Sequence, residues 1–160
     1  MKKFKIKKLF LKTFLLIFIS LEINCEFIFV SNENSDTVTV LSTKDKKIIQ
    51  TIDTGGRPRD MKLSKDNTKL YVAVSEENHI AVIDIKELKI IDYINTGDDP
   101  EIFDISFNGN IIAVSNEDDN QLTLIDVESK KIIKTIDDVG VEPEGVNFTP
   151  DGNLIFVTSE

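Results

Sequence analysis

Tyr71–Pro100 reads YVAVSEENHIAVIDIKELKIIDYINTGDDP. Two apolar strand-like runs, Ile80-Ala81-Val82-Ile83 and Ile90-Ile91-Asp92-Tyr93-Ile94, follow a first, Tyr71-Val72-Ala73-Val74. Polar turns separate them, and the stretch closes on a proline. The same pattern lies on either side at an offset of 42. Val38-Thr39-Val40-Leu41-Ser42 precedes Ile80-Ala81-Val82-Ile83-Asp84, and Leu122-Thr123-Leu124-Ile125-Asp126 follows it. Ile48-Ile49 returns as Ile90-Ile91 and Ile132-Ile133. Pro58 returns as Pro100 and, with one extra residue, as Pro143. Phe29-Val30-Ser31-Asn32 returns at Tyr71, at Ala113 and at Phe156. Such self-similarity decides the architecture before any single element does.

Each unit is expected to hold four short strands rich in Ile, Val, Thr and Phe. Asp66-Asn67, Asn108-Gly109 and Asp151-Gly152 supply the turn between the first two, where positive φ is wanted. Apolar residues stand next to one another at Val40-Leu41, Ile48-Ile49 and Ile132-Ile133. A sheet with one wet face would alternate, so each sheet is expected to be packed on both faces. Four-stranded antiparallel sheets stacked around an axis are the blades of a β-propeller, whose repeats run to about 40–50 residues. The β-solenoid, the competing repeat fold, uses shorter units. The fold class is therefore all-β, a partial β-propeller of about three to three and a half blades. Its expected divisions are a partial blade over 26–54, blades over 57–95 and 99–137, and a partial blade over 142–160. Closing a propeller ring takes at least about four blades. The chain is accordingly read as the N-terminal part of a longer protein, with ring closure by self-assembly as the alternative.

The first 25 residues are not read as part of this repeat. Lys2, Lys3, Lys5, Lys7, Lys8 and Lys12 precede the apolar run Thr13–Leu21, which is the order of a signal peptide. The run is shorter than the roughly 20 apolar residues of a membrane span. Cleavage is expected near Cys25, and export to the periplasm or beyond. Glu22 and Asn24 fit a lipoprotein box poorly, so lipidation of Cys25 is not expected. The formal charge of −9 becomes −14 once those six lysines and Glu22 are gone. Nucleic acid and anionic lipid are excluded as partners on that charge, and no membrane span is expected after leader removal.

The repeats resemble the YVTN-type β-propeller unit. The ordered series Gly56-Arg57-Pro58-Arg59, Asp99-Pro100-Glu101, Val114-Ser115-Asn116-Glu117-Asp118-Asp119-Asn120, Val141-Glu142-Pro143-Glu144-Gly145 and Val157-Thr158-Ser159-Glu160 resembles, within that group, the N-terminal half of the β-propeller proteins associated with PQQ-dependent catabolism. Asn67 stands where the turn glycine is usual, and Val74 where the motif has Asn. The resemblance implies a periplasmic seven-bladed propeller encoded beside quinone-dependent alcohol oxidation, without catalysis of its own.

No nucleophile elbow, metalloprotease, Walker or dinucleotide motif occurs. The single His79 has no His or Cys near it in sequence, and it is expected to be a solvated residue of the loop between the second and third strands. Polar loops at Asn32–Asp36, Glu76–Asn78 and Asn116–Asn120 lack the spacing and glycine of a calcium loop and are read as hairpin turns on one rim, so no metal and no cofactor are expected. The residues flanking the prolines are more informative. Arg57 and Arg59, then Asp99 and Glu101, then Glu142 and Glu144 occupy equivalent repeat positions, although the scaffold itself asks only for the proline. They are the candidate ligand-binding rim, open to a small anionic ligand or a periplasmic protein partner, or else pairing between blades, as Arg59 with Glu101. The expected function is an exported binding or accessory module. A lactonase-type propeller hydrolase is the alternative. A quinone-dependent dehydrogenase is disfavoured by the absence of Trp.

Overall fold

The computed structural model describes residues 26–160, so the leader assigned to 1–25 lies outside the described residues. Thirteen strands form four antiparallel sheets. The first holds β1 (Phe27–Asn32), β2 (Thr37–Ser42) and β3 (Lys47–Asp53) in that order. The second holds β4 (Pro58–Leu63), β5 (Lys69–Val74), β6 (His79–Asp84) and β7 (Lys89–Asn95). The third holds β8 (Pro100–Ile105), β9 (Ile111–Asn116), β10 (Gln121–Asp126) and β11 (Lys131–Ile136). The last pairs β12 (Pro143–Phe148) with β13 (Ile155–Ser159). We call these sheets blades 1 to 4. Two complete blades between two incomplete ones make a partial β-propeller of about three blades.

Packing follows the repeat. Alternate residues of each second strand point to opposite neighbours. Leu70, Val72 and Val74 of β5 pack on Val38, Val40 and Ile52 of blade 1. Tyr71 and Ala73 pack with Phe103, Ile112 and Val114 of blade 3. Ala113 and Leu122 turn the other way, onto Val146 of blade 4. This two-sided burial is why β5 reads as a continuous apolar run rather than an alternating one. The third and fourth strands of the repeat share a bulge at one place in blades 1 to 3, Val40/Leu41, Val82/Ile83 and Leu124/Ile125. It sets adjacent apolar residues of the outer strands on both faces. The turns at Asn67, Gly109 and Gly152 have φ of 56°, 80° and 72°, as the Asx-Gly pattern predicts, and Asn67 adopts the conformation left to glycine elsewhere.

Helical structure among the described residues is confined to single 3-10 turns at Glu33–Ser35 and Ser75–Glu77. None is long or apolar enough to cross a membrane. One expectation is corrected. His79 is not a solvated loop residue but the first residue of β6. It is partly buried, its Nδ1 lies 3.1 Å from the Glu77 carbonyl, and its ring packs edge-on against Tyr93 at 4.6 Å. Burial lowers its pKa, so the imidazole is held neutral.

Candidate functional site

In an antiparallel meander, the loop entering the first strand and the loop joining strands two and three emerge at the same end of the blade. That end carries the proline-flanking residues. Arg57, Asp99 and Glu142, each just before its proline, have φ of 55°, 50° and 47°. Left-handed backbone is costly for such residues, so something must hold it. A side-chain oxygen from the preceding blade does. Asp36 Oδ1 accepts the Arg57 N–H at 3.2 Å, Asn78 Oδ1 the Asp99 N–H at 3.0 Å, and Asn120 Oδ1 the Glu142 N–H at 2.9 Å. Those three acceptors are themselves left-handed, at φ 58°, 56° and 53°, which Asp and Asn tolerate better than most residues. The polar loops read as hairpin turns thus also peg each blade to the next.

On this frame Arg57 and Arg59 project from blade 2 between acids of both neighbours. Glu33 of blade 1 accepts from Arg57 Nε at 3.3 Å and from Arg59 Nη1 at 2.9 Å. Glu101 of blade 3 takes Arg57 Nη2 at 3.4 Å and pairs with Arg59 Nη2. Asp99 lies 3.7 Å from Arg57 Nη1. Glu101 is 1 % exposed, whereas the two arginine side chains keep 34 % and 28 %. Burial pushes the Glu101 carboxyl up to about 7; Arg59 opposes this, and Asp99 and Glu117 reinforce it. Arg59 holds Glu33 below the ordinary carboxylate range.

The structure therefore brings together four of the six rim residues, Arg57, Arg59, Asp99 and Glu101. Glu142 and Glu144 stay exposed. They act through backbone, Glu142 by its N–H to Asn120 and Glu144 by its carbonyl, which accepts Ser115 Oγ at 2.7 Å. Carboxylate oxygens of Asp99, Glu101 and Glu117 lie within 4.8 Å of one another. A hard cation is the group such a trio would hold; Arg57 and Arg59 reach Glu101 and Asp99, while Glu117 has no cation within ion-pair distance among the described residues. Asn116, beside them, is fully buried with both amide atoms unpartnered.

Three contributors were not legible beforehand. Glu33 sits in a loop whose repeat equivalents are Ser75 and Glu117, so no periodic signal marks it. Asp60 and Asp104 reach from one innermost strand to the next: Asp60 Oδ2 accepts the Phe103 N–H at 3.3 Å and Asp104 Oδ2 the Phe148 N–H at 2.8 Å. They do not stand at equivalent repeat positions, since Ile102 is the residue 42 after Asp60, so periodicity does not mark them.

Acidic residues concentrate at one end of the blades. The arginine end also carries Glu33, Glu76, Glu77, Asp98, Glu117, Asp118, Asp119, Glu142 and Glu144, and Arg57 and Arg59 are its cations among the described residues. The opposite end is mixed: Lys44, Lys46, Lys65, Lys86 and Lys130 share its turns with Asp45, Asp66, Glu87, Glu128 and Asp151.

Comparison with known proteins agrees with the fold. No curated protein matches the chain. Among solved structures, it is similar to the hydrazine synthase of Kuenenia stuttgartiensis, with TM-score 0.75 and 25 % identity over 82 % of this chain and 38 % of that one. It is also similar to the dihydro-heme d1 dehydrogenase NirN in complex with DHE, with TM-score 0.69 and 20 % identity over 82 % of this chain and 30 % of the other. The chain spans about a third of the length of these structures. A family model matches residues 20–152, and the chain belongs to the YNCE-like β-propeller family.

Proposed function

We propose that this chain is an exported, periplasmic binding or accessory module without catalysis of its own, and that it presents its carboxylate-rich end to a basic protein partner. The observation that carries the reading is the concentration of acids at one end of the blades. One end gathers acids, and its two arginines are already spent on Glu33, Glu101 and Asp99. A concentrated single-sign field steers oppositely charged partners and sets which of them dock. A small anion at Arg57 and Arg59, the ligand reading of the rim, would have to displace those carboxylates. The resemblance of the proline-flanking series to propellers associated with PQQ-dependent catabolism supports a place beside quinone-dependent alcohol oxidation. The order of charge and apolar residues in 1–25 supports export.

The test is capture of a partner from the periplasm of the native host, then titration of that partner against the chain at several salt concentrations. Affinity should fall with salt, and fall again in the Asp118→Asn, Glu142→Gln, Glu144→Gln chain, which changes only exposed acids. Affinity indifferent to both overturns the proposal. Mass spectrometry of the exported protein should place its N-terminus near residues 25 to 27; an intact Met1 there sinks the export reading.

A second reading, a lactonase-type hydrolase, draws on Glu101. A carboxyl near 7 beside two others has the poise of a general acid or base. Its burial under two arginines favours a strut. Hydrolysis of sugar lactones that disappears in Glu101→Gln would reverse that preference.

A further inference from the structure

At the opposite end from the arginines, a cleft of about 460 Å³ opens between blades 2 and 3. Its walls are the turns joining the first two strands of those blades. Ser64, Lys65 and Lys69 stand on one side, Asn108 and Val127 on the other, and Tyr71 lies between them. Gly109 lets the walls approach: it has φ 80°, and a Cβ there would lie 3.1 Å from Lys65 Cβ.

The cationic groups of this cleft make no ion pair, although Asp92 lies near enough to feel the charge of Lys69. Among the described residues, neither Lys65 nor Lys69 has a carboxylate within ion-pair distance; the paired lysines are Lys62, Lys89 and Lys130. Lys65 Nζ instead rests 5.0 Å from the centre of the exposed Phe107 ring. Asp66 also lines the cleft; its Oδ1 accepts from Ser64 Oγ at 2.6 Å, Thr68 Oγ1 at 2.8 Å and the Thr68 N–H at 3.1 Å, which turns that oxygen into the loop, and its charge is offset by the two lysines. Tyr71 is 4 % exposed, and its hydroxyl has no hydrogen-bond partner among the described residues. The ring is buried, and the hydroxyl opens to the cleft, where it is free to donate to a ligand. Burial, and then Asp66, raise its pKa, so it remains a donor.

The repeat does not demand these residues. The next blade has Phe107, Ile111 and Ala113 where this one has Lys65, Lys69 and Tyr71. Two lysines without an ion pair and a phenol hydroxyl facing the same cleft, found together in one blade of an acidic protein, are a set of donors available to an anion. We propose that this cleft binds a small organic anion, a carboxylate or phosphate monoester with an apolar body. Lys65 and Lys69 hold the anionic group, the Tyr71 hydroxyl donates a hydrogen bond to it, and Val127 meets the apolar part. The site is separate from the arginine rim and does not rest on the function proposed for it.

Phenyl phosphate is the probe, titrated calorimetrically into the full chain. One saturable site is expected, with affinity at least tenfold lower in the Lys65→Gln, Lys69→Gln chain and several-fold lower in Tyr71→Phe. The chain has two tyrosines and no tryptophan, so Tyr93→Phe leaves Tyr71 as the sole strong emitter. Its fluorescence should change saturably over the same concentration range. Melting curves matching the wild type establish that the variants fold; glutamine keeps the bulk of each lysine. No saturable heat, or unchanged affinity without the two lysines, overturns the proposal. Equal affinity for inorganic phosphate overturns its organic part.

Discussion

Arg59 and Glu101 form an ion pair across adjacent blades in which the carboxylate is 1 % exposed and the guanidinium remains partly in water. The pair lies at the innermost strands, where blades 2 and 3 come closest to the axis. Burial costs the carboxylate more than it costs the arginine, which is why Glu101 titrates near 7 despite its cationic neighbours. The same asymmetry gives the pair a pH dependence.

The folded-state pKa of Glu101 lies above its ordinary 4.5. The native state therefore binds the proton more tightly than the unfolded chain does. The stability associated with that proton is fully present below about 4.5 and is lost as pH rises through about 7. Urea midpoints at pH 5 and pH 8 should show wild type losing stability over this window, and Glu101→Gln, which cannot ionise, should flatten this component. An unchanged slope in Glu101→Gln would remove Glu101 as its source.

Removing the arginine tests the strut directly. Arg59→Ala leaves a buried carboxylate with only Arg57 beside it. Breaking a fully buried pair costs about 3–5 kcal/mol, and the partial exposure of Arg59 reduces this to about 2 kcal/mol at pH 8. At pH 5 the carboxyl takes up a proton, so the loss should be smaller. A loss equal at the two pH values would mean that Arg59 acts through packing alone.

The fold was legible because the 42-residue period carries strands, turns and prolines in one register. The rim was legible in part, because blade-specific charges stood out against a repeated proline. What periodicity could not supply was the contact between unlike positions. Glu33 meets Arg57 and Arg59 from a different place in the repeat, and no offset of 42 points to it. His79 departs from its expected solvated setting for a related reason. Its neighbours in sequence are polar, but the groove formed with Tyr93 two strands' length away shields it.

Asn78 tests the pegs between blades. It combines left-handed backbone with a hydrogen bond to Asp99 N–H and another from its Nδ2 to Asp98 at 2.9 Å. Asn78→Gly keeps the backbone and loses the side-chain bonds, for about 1 kcal/mol. Asn78→Ala adds the strain of alanine at φ 56° and should cost about 1 kcal/mol more. Chemical denaturation of both variants separates the two contributions; equal losses would show that the conformation itself is not a burden.

Gly109 and Gly152 occupy the same turn in successive blades, with φ of 80° and 72°. Only Gly109 faces a neighbour: a Cβ would meet Lys65 Cβ at 3.1 Å, whereas nothing lies within 4 Å at Gly152. Gly152→Ala should carry the backbone penalty alone, about 1 kcal/mol. Gly109→Ala should cost more and also widen the lysine cleft, so that phenyl phosphate affinity falls in that variant and not in Gly152→Ala. Equal melting temperatures would remove the close approach as a constraint.

The outer sheets give the last prediction. Ile28 and Val30 of β1 are equivalent to Leu70 and Val72 of β5, which the repeat buries against the preceding blade. In β1 they are 49 % and 41 % exposed. Phe156 of β13 is equivalent to Ala113, which is buried against the following blade, yet it is 59 % exposed. Each terminal sheet thus presents outward the apolar face that its equivalents bury, and β1 and β13 each have one unpaired edge. Apolar sheet faces and open edges drive association. Residues 26–160 alone should sediment as concentration-dependent oligomers, with association weakened by Ile28→Lys or Phe156→Lys, since either places a charge on one of these faces. A monodisperse monomer with a single cooperative transition would mean that four sheets satisfy themselves without further blades.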